Sequence, residues 1–569
     1  GPRLRAPQRA GMPAKRKAAA KAKPASKSGG GSAEDLAVVW FRKCLRLHDN
    51  AALVEAVKSG VKHLCPVFVI DPHFGPAHVG VVRYRFLLES LADLNAQLKE
   101  KYGSRLLVLR GKPETVFPSM LRNGGHLGGS RPRLLMWERD YEPYALKRDK
   151  AVEKLAVECG VEVRTFVGHT LYDPEEALRK NKGKSPTTNQ GMVTLAKALG
   201  EPPAPLPVPA KLPPLPKGVA KFPASYGSVP TLKEMGYKEA GPGKDAKPSF
   251  PGGERAGLAR MAARLADATY IRTFEKPKTR STAFDPPSTT ILSPYLKFGC
   301  VSVRRFYHGL KQTIGGQKHS QPPVSLKGQL YFREMAVMQG LSIPNFDKQV
   351  GNPACKQIPW GKNPKLFKAW EEGKTGYPFI DACMRQLKKT GWLHHLARHA
   401  VSCFLTRGDL WISWEEGRDV FDKLLVDADW AINNQNWLAL AGVSSWSPPF
   451  FRVYHPVPKM DSALSVQDPE GKYIREFVPE LREMPSKYIY APWTAPPDIQ
   501  KKAKCIVGKD YPKPVVEHEK VCAQNLAKFK KALSSAPKTS AAPAVAVRAG
   551  SKRASPGGGG GSGKKAKTR

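Results

Sequence analysis

Short unbroken apolar runs recur through the first third of the chain. LAVVWF (36–41), LCPVFVID (64–71), RLLVLRG (105–111), RLLMWERD (133–140) and VEVRTFVG (161–168) have the length of strands buried on both faces. Between them, apolar and charged positions alternate at helical spacing, as in RYRFLLESLADLNAQLKEKYG (83–103) and PYALKRDKAVEKLAVECG (143–160). Strand and helix in turn predict an α/β domain with a parallel sheet over 36–169. The turn after the first strand reads RKCLRLHDN, without GxGxxG, so a Rossmann dinucleotide site is not expected there.

The pattern then changes twice. From 170 to 265 Pro, Lys and Gly dominate, as in EPPAPLPVPAKLPPLPKG, and predict an interdomain connector, partly ordered at best. From 266 to 495 the periodicity is helical, with tryptophans concentrated in it, and predicts an all-helical domain; 496–532 continues it as a C-terminal helical extension. Residues 1–35 and 533–569 have too few large apolar side chains to fold and are expected to be disordered basic tails. Their KRK and KKAKTR clusters look like nuclear-import signals, so the nucleus is the expected compartment, with an organelle or the cytoplasm as alternatives. Met12 is a candidate natural start, which leaves open whether residues 1–11 are native.

Charge sharpens the picture. The formal net charge is +43, with nine Lys/Arg against two acids in 1–35 and eight against none in 533–569, so about +28 remains on the body. A body that basic points to a polyanion, most commonly nucleic acid, against the plainer reading of a solvated basic surface. No apolar stretch approaches twenty residues, so no membrane span is expected. The nine cysteines form no CxxC pair, which argues against a structural zinc site or a disulfide scaffold.

Four segments carry chemistry. GWLHHLARHA (391–400) holds His394, His395 and His399; on a helix His395 and His399 share a face with Trp392 just before them. Paired imidazoles suit proton transfer near neutral pH, or they pack in a bundle; without a third ligand close by, no metal is expected. In TTILSPYLKFGCVS (289–302), Thr289, Thr290 and Ser293 set hydroxyls ahead of a helix, suited to phosphate oxygens or to a plain cap. DADWAINNQNW (427–437) places Asp427, Asp429, Asn433 and Gln435 in an apolar setting, where each needs a partner; a polar heterocycle is one. Trp360, Trp411, Trp414 and Trp437 either pack or relay electrons, with Trp411 and Trp414 at i, i+3 on one helix face.

These segments, with FRKCLRLHDN, FEKPKT, GNPACKQIPW, GYPFIDACMRQL, YIYAPWTAP and GKDYPKP, resemble the cryptochrome/photolyase family, and within it the (6-4) photolyases and animal-type cryptochromes. The likeness covers roughly 36–525 outside the Pro-rich connector. It implies an N-terminal α/β domain, able to hold an antenna chromophore (a deazaflavin or a folate), and a helical domain binding FAD. By that resemblance Lys276, Thr289, Thr290 and Ser293 meet the FAD phosphates or nearby groups, and Gln329 and Arg333 line the flavin site. Arg398 pairs with Asp427 beside the flavin, Asp429 adds polar contacts, and Asn433 faces flavin N5. Trp437, Trp414 and Trp360 match an electron-transfer triad, with Trp411 as a fourth member near solvent. His395 and His399 face the lesion, His395 as the proton donor and His399 as its positioning partner. The implied activity is blue-light-driven repair of pyrimidine-pyrimidone (6-4) photoproducts in UV-damaged DNA by a DNA lyase, expected to act as a monomer; the alternative is a cryptochrome photoreceptor with signalling partners. Near the site the chain departs from the family pattern with Ala439 for a Trp, a VSSWSPPFFRVY loop, and Phe332 and Phe379 where relatives have Trp; Cys44 replaces a Gly.

Overall fold

A computed structural model describes residues 35–238 and 250–535; the two terminal segments with their basic clusters lie outside the described residues. All five apolar runs form strands: β1 Leu36–Phe41, β2 His63–Ile70, β3 Leu107–Arg110, β4 Leu134–Glu138 and β5 Glu162–Phe166. They make one parallel sheet of order β3-β2-β1-β4-β5. Every residue of β1 is buried, which is why the run reads as continuously apolar. Helices Ala51–Lys58, Val81–Tyr102, Pro113–Asn123 and Pro143–Glu158 complete the domain, two of them ending on Gly103 and Gly124 in the left-handed region.

The RKCLRLHDN turn after β1 explains itself as a clamp between the two halves. The Leu47 and His48 amides donate to Glu254 at 2.7 and 3.0 Å. Asp49 accepts two bonds from the Arg304 guanidinium at 3.0 and 2.8 Å and one from Ser302. Arg46 reaches Glu138 at 3.1 Å, and Asn50 caps the following helix through the Leu53 amide at 3.0 Å. These charges are buried, but each is paired and hydrogen-bonded, the condition under which burial is tolerated.

The stretch expected as a partly ordered connector is, over its described residues, fastened to both halves. Leu64 and Val108 donate their amides to Pro214 and Gly227 carbonyls at 3.0 and 2.7 Å, and the Tyr102 and Tyr237 hydroxyls bond Pro209 and Val79 carbonyls. Helices Pro174–Lys180 and Asn189–Leu199 pack on helix Leu326–Ser342 of the helical half. Proline's fixed φ suits extended chain laid along a surface, so composition alone misjudged the segment. The helical half runs on through the extension to a last helix, His518–Ser535, and no described helix is long and apolar enough to cross a membrane.

Candidate functional site

The three histidines of GWLHHLARHA have two different jobs. Gly391, with φ of 67°, closes helix Pro378–Thr390, and the next helix begins only at His395. His394 is its N-cap: Nδ1 accepts the Leu396 amide at 3.2 Å while Nε2 donates to Thr279 Oγ1 at 3.0 Å. The Thr279 hydroxyl passes the chain on to the Lys276 carbonyl at 2.7 Å. His394 is therefore structural, and Trp392 lies before the helix, in the part of the core continuous with β1, not on the expected histidine face.

His395 and His399 do share a face, their rings nearly perpendicular with centroids 5.9 Å apart. His399 Nδ1 lies 3.3 Å from the Tyr454 hydroxyl, whereas His395 has no hydrogen bond among the described residues. Burial and the Lys276 ammonium hold all three imidazoles below their usual pKa, with His394 and His399 near 3, so the pair is neutral at pH 7.

Lys276 is the informative group. Burial and the Arg398 guanidinium lower its pKa to about 8, and no carboxylate pairs with it among the described residues. Its ammonium sits 5.9 Å from the Phe332 ring centre. Around it the expected trio forms: Arg398 Nη2 donates to both Asp427 oxygens at 3.2 and 2.9 Å, and Ser293 Oγ donates to Oδ2 at 2.7 Å. Thr289 and Thr290 are half-buried just ahead of Ile291, whose φ of 48° is a strained conformation for a β-branched side chain. A cation with no carboxylate partner among the described residues, near Arg398, together with the threonine hydroxyls ahead of the Ser293 helix, is a donor set suited to a diphosphate, so these residues fit FAD.

Much of the DADWAINNQNW polarity is satisfied within the protein. Asp429 caps helix Trp430–Leu440 by accepting the Ala431 and Ile432 amides at 3.1 and 3.2 Å. Arg333 Nη2 donates to His169 Nε2 at 2.7 Å, on the ring that also faces Asp429. Burial and Arg333 lower the His169 pKa to about 4, leaving it neutral. Asp429 and Arg333 thus tie the helical half to the segment after β5. Asn434 bonds the Trp430 carbonyl at 2.8 Å, Gln435 bonds Gln339 at 2.9 Å, and Gln329 turns back to the Pro323 carbonyl at 2.8 Å. Asn433 differs: Nδ2 donates to the Arg418 carbonyl at 3.1 Å, and among the described residues Oδ1 has no partner.

Of the four tryptophans, Trp437 lies on this helix. Trp437 and Trp414 are buried, and Gly417, one turn past Trp414, leaves room for the Trp437 ring, which a Cβ there would meet at 2.2 Å. Trp360 and Trp411 are in ring contact at 4.9 Å, with Nε1 groups bonded to Gln349 and the Pro359 carbonyl. Two expectations are corrected. Trp411 and Trp414 do not share a helix face, because Ser413 caps a helix starting at Trp414 and Trp411 has φ of 55°. Nor is Trp411 open to solvent: it is 8% exposed under Phe529 and Lys528 of the last helix.

Among the departures, Phe379 is fully buried against Tyr473 and cannot line the site, while Phe332 lies under Lys276. Trp446 hydrogen-bonds the Gln435 carbonyl at 3.3 Å. Sequence reasoning missed Tyr454, 55 residues from His399, and the His394–Thr279 link; neither leaves a local signal. A cavity opens at the carboxyl ends of the strands, where the sheet order reverses about β1, lined by Trp40, Arg42, Asp71, Asp140, Arg148 and Phe298.

Two family models match the chain: "DNA photolyase" over residues 37–210 and "FAD binding domain of DNA photolyase" over 325–531. A (6-4)DNA photolyase of Oryza sativa subsp. japonica is 49% identical over 500 residues, 85% of this chain and 87% of that protein. Cryptochrome-1 of Sylvia borin is 45% identical over 504 residues, covering 87% and 78%. The crystal structure of a class III photolyase from Agrobacterium tumefaciens superposes with a TM-score of 0.75 at 30% identity, covering 89% of this chain and 99% of that one.

Proposed function

The chain belongs to the photolyase/cryptochrome family, and on that premise we propose that it is a light-driven (6-4) photolyase, a DNA lyase that returns pyrimidine-pyrimidone (6-4) photoproducts to intact pyrimidines. The observation that carries the reading is the division among the histidines: His394 is spent on the fold, while His395 is left without a hydrogen bond beside His399 and Lys276. A half-buried imidazole with no structural task is available to a substrate.

FAD, bound by the helical half, supplies the light-driven electron. Lys276, Thr289, Thr290 and Ser293 would hold its diphosphate, the Arg398–Asp427 pair would flank its ring system, and Asn433 Oδ1 would accept from a ring N–H. Trp437, Trp414, Trp360 and Trp411 would give an aromatic route by which electrons reach the site, and the Trp360–Trp411 ring contact supports its outer part. His395 would donate the proton that the lesion needs while its oxygen function moves between the two pyrimidines, with His399 held by Tyr454 as its partner. Anionic phosphates neutralising Lys276 would raise both imidazole pKa values towards the range where such donation works. The damaged base must leave the duplex to reach these groups, which weakened pairing at a lesion makes cheaper by a few kcal/mol. The basic body would grip the DNA backbone, so binding should weaken steeply with salt.

The reversal-point cavity would hold an antenna chromophore, a deazaflavin or a folate, between its apolar and cationic walls. The KRK and KKAKTR clusters support a nuclear location. A second reading, a cryptochrome photoreceptor, has one observation in its favour: the last helix covers Trp360 and Trp411 through Phe529, so redox change at those rings would be felt by the C-terminus.

The test is to illuminate the reduced protein with an oligonucleotide carrying one thymine (6-4) photoproduct. Recovery of intact thymines supports repair. No recovery, together with light-dependent proteolysis within 518–535, would replace it with the photoreceptor reading.

A further inference from the structure

The last helix is anchored by an unusual set of groups. His518 is buried, with Nδ1 2.6 Å from Asp409 Oδ1, and Asn525 donates to the Gly408 and Asp409 carbonyls at 3.2 and 3.1 Å. The other Asp409 oxygen is buried without a partner, so the carboxylate is committed to His518. That bond directs the ring proton to Nδ1 and presents Nε2 bare. The His455 ring packs against the His518 ring, with centroids 4.4 Å apart, and His455 Nε2 is 3.2 Å from Glu519 Oε1. One nitrogen from each histidine and one Glu519 oxygen lie within 4.8 Å of one another.

We infer that His455, His518 and Glu519 bind one divalent cation of the zinc type, which fastens the first turn of the last helix to the loop carrying Tyr454. Two imidazoles and a carboxylate around an open fourth position are a zinc donor set. A carboxylate holding the far nitrogen of a ligating histidine, as Asp409 does, is the usual support for one. Magnesium and calcium are excluded because they require a shell of oxygens that this cluster lacks. His455 and Glu519 have side chains 49% and 81% exposed, so both can close in by the ångström or so that ligation at about 2 Å requires.

The Val457 amide now donates to His455 Nδ1 at 3.0 Å, which places that ring's proton on Nε2, facing Glu519. Metal entry moves the proton to Nδ1 and gives up this exposed bond, whose amide water can serve. The consequence reaches the pocket: Tyr454, next to His455, is the residue whose hydroxyl meets His399. The metal would fix one neighbour of the imidazole pair without touching substrate. The inference stands apart from the repair reading, since its readout needs neither light nor DNA.

Full-length, FAD-containing protein is stripped with a chelator, dialysed against Zn²⁺, and assayed for bound metal and for hydrogen exchange over 518–535. The expected result is one zinc per chain, slower exchange in that helix, and no competition from Mg²⁺ or Ca²⁺. His455→Ala and Glu519→Gln, both at exposed side chains, should each weaken zinc binding by roughly tenfold or more, and His455→Cys should retain it. Absence of stoichiometric zinc, or equal retention by His455→Ala and Glu519→Gln, overturns the inference.

Discussion

Replacing His394 and His395 by Ala one at a time separates fold from chemistry at adjacent positions. His394→Ala removes the N-cap of helix His395–Cys403, a loss of about 0.5–2 kcal/mol. It also breaks the bond to Thr279 Oγ1, worth about 1 kcal/mol, and leaves a void where a 1%-exposed ring had been. Together these predict a loss of about 2–4 kcal/mol. His395 is half-buried and hydrogen-bonds nothing among the described residues, so His395→Ala should change stability by less than about 1 kcal/mol. Urea unfolding followed by far-UV circular dichroism measures both. If His395→Ala proves as destabilising as His394→Ala, the division of labour among the three histidines is wrong, and with it the claim that His395 is free for substrate.

Other outcomes follow from the same geometry. Lys276 has a pKa near 8 without a partner, and a bound diphosphate would raise it; the protonated form binds better, so FAD affinity should be flat below about pH 8 and fall above it by up to about tenfold per pH unit. Lys276→Met should bind FAD weakly with that slope removed, and equal, pH-independent retention from both proteins would refute the assignment. Gly417→Ala forces a Cβ to 2.2 Å from Trp437 and 2.5 Å from Leu405, an overpacking of about 1–3 kcal/mol. Transient absorption should show slower flavin photoreduction in that variant at equal flavin content; an unchanged rate would remove Trp437 from the route.

The sheet was legible because its central strands, buried on both faces, write themselves as apolar runs, and all five strands, the half-buried edge strand β5 included, appear within three residues of their expected bounds. The helical half was legible as helical, but its breaks were not. The residue that decides whether Trp411 joins a helix is Ser413, a cap that looks like any other serine. Proline content misled over 170–265 because it signals extended chain without saying whether a surface lies beneath it. The Arg398–Asp427 pair, 29 residues apart, was readable only through family resemblance, and the structure supplies its geometry. In DADWAINNQNW the demand for hydrogen bonds was correct, and Asp429, Asn434 and Gln435 find partners inside the protein, while among the described residues no donor reaches Asn433 Oδ1. Tyr454 and the His455–His518–Glu519 cluster were beyond reach, since folding alone brings those positions together.

The most direct test of the central claim compares native protein with His395→Ala and His399→Ala, each loaded with FAD to the same blue absorbance and reduced by light before the lesion oligonucleotide is added. The account predicts that all three bind and photoreduce flavin alike, while repair is lost in His395→Ala and strongly slowed in His399→Ala. Full repair by His395→Ala would show that the imidazole pair does not serve the lesion.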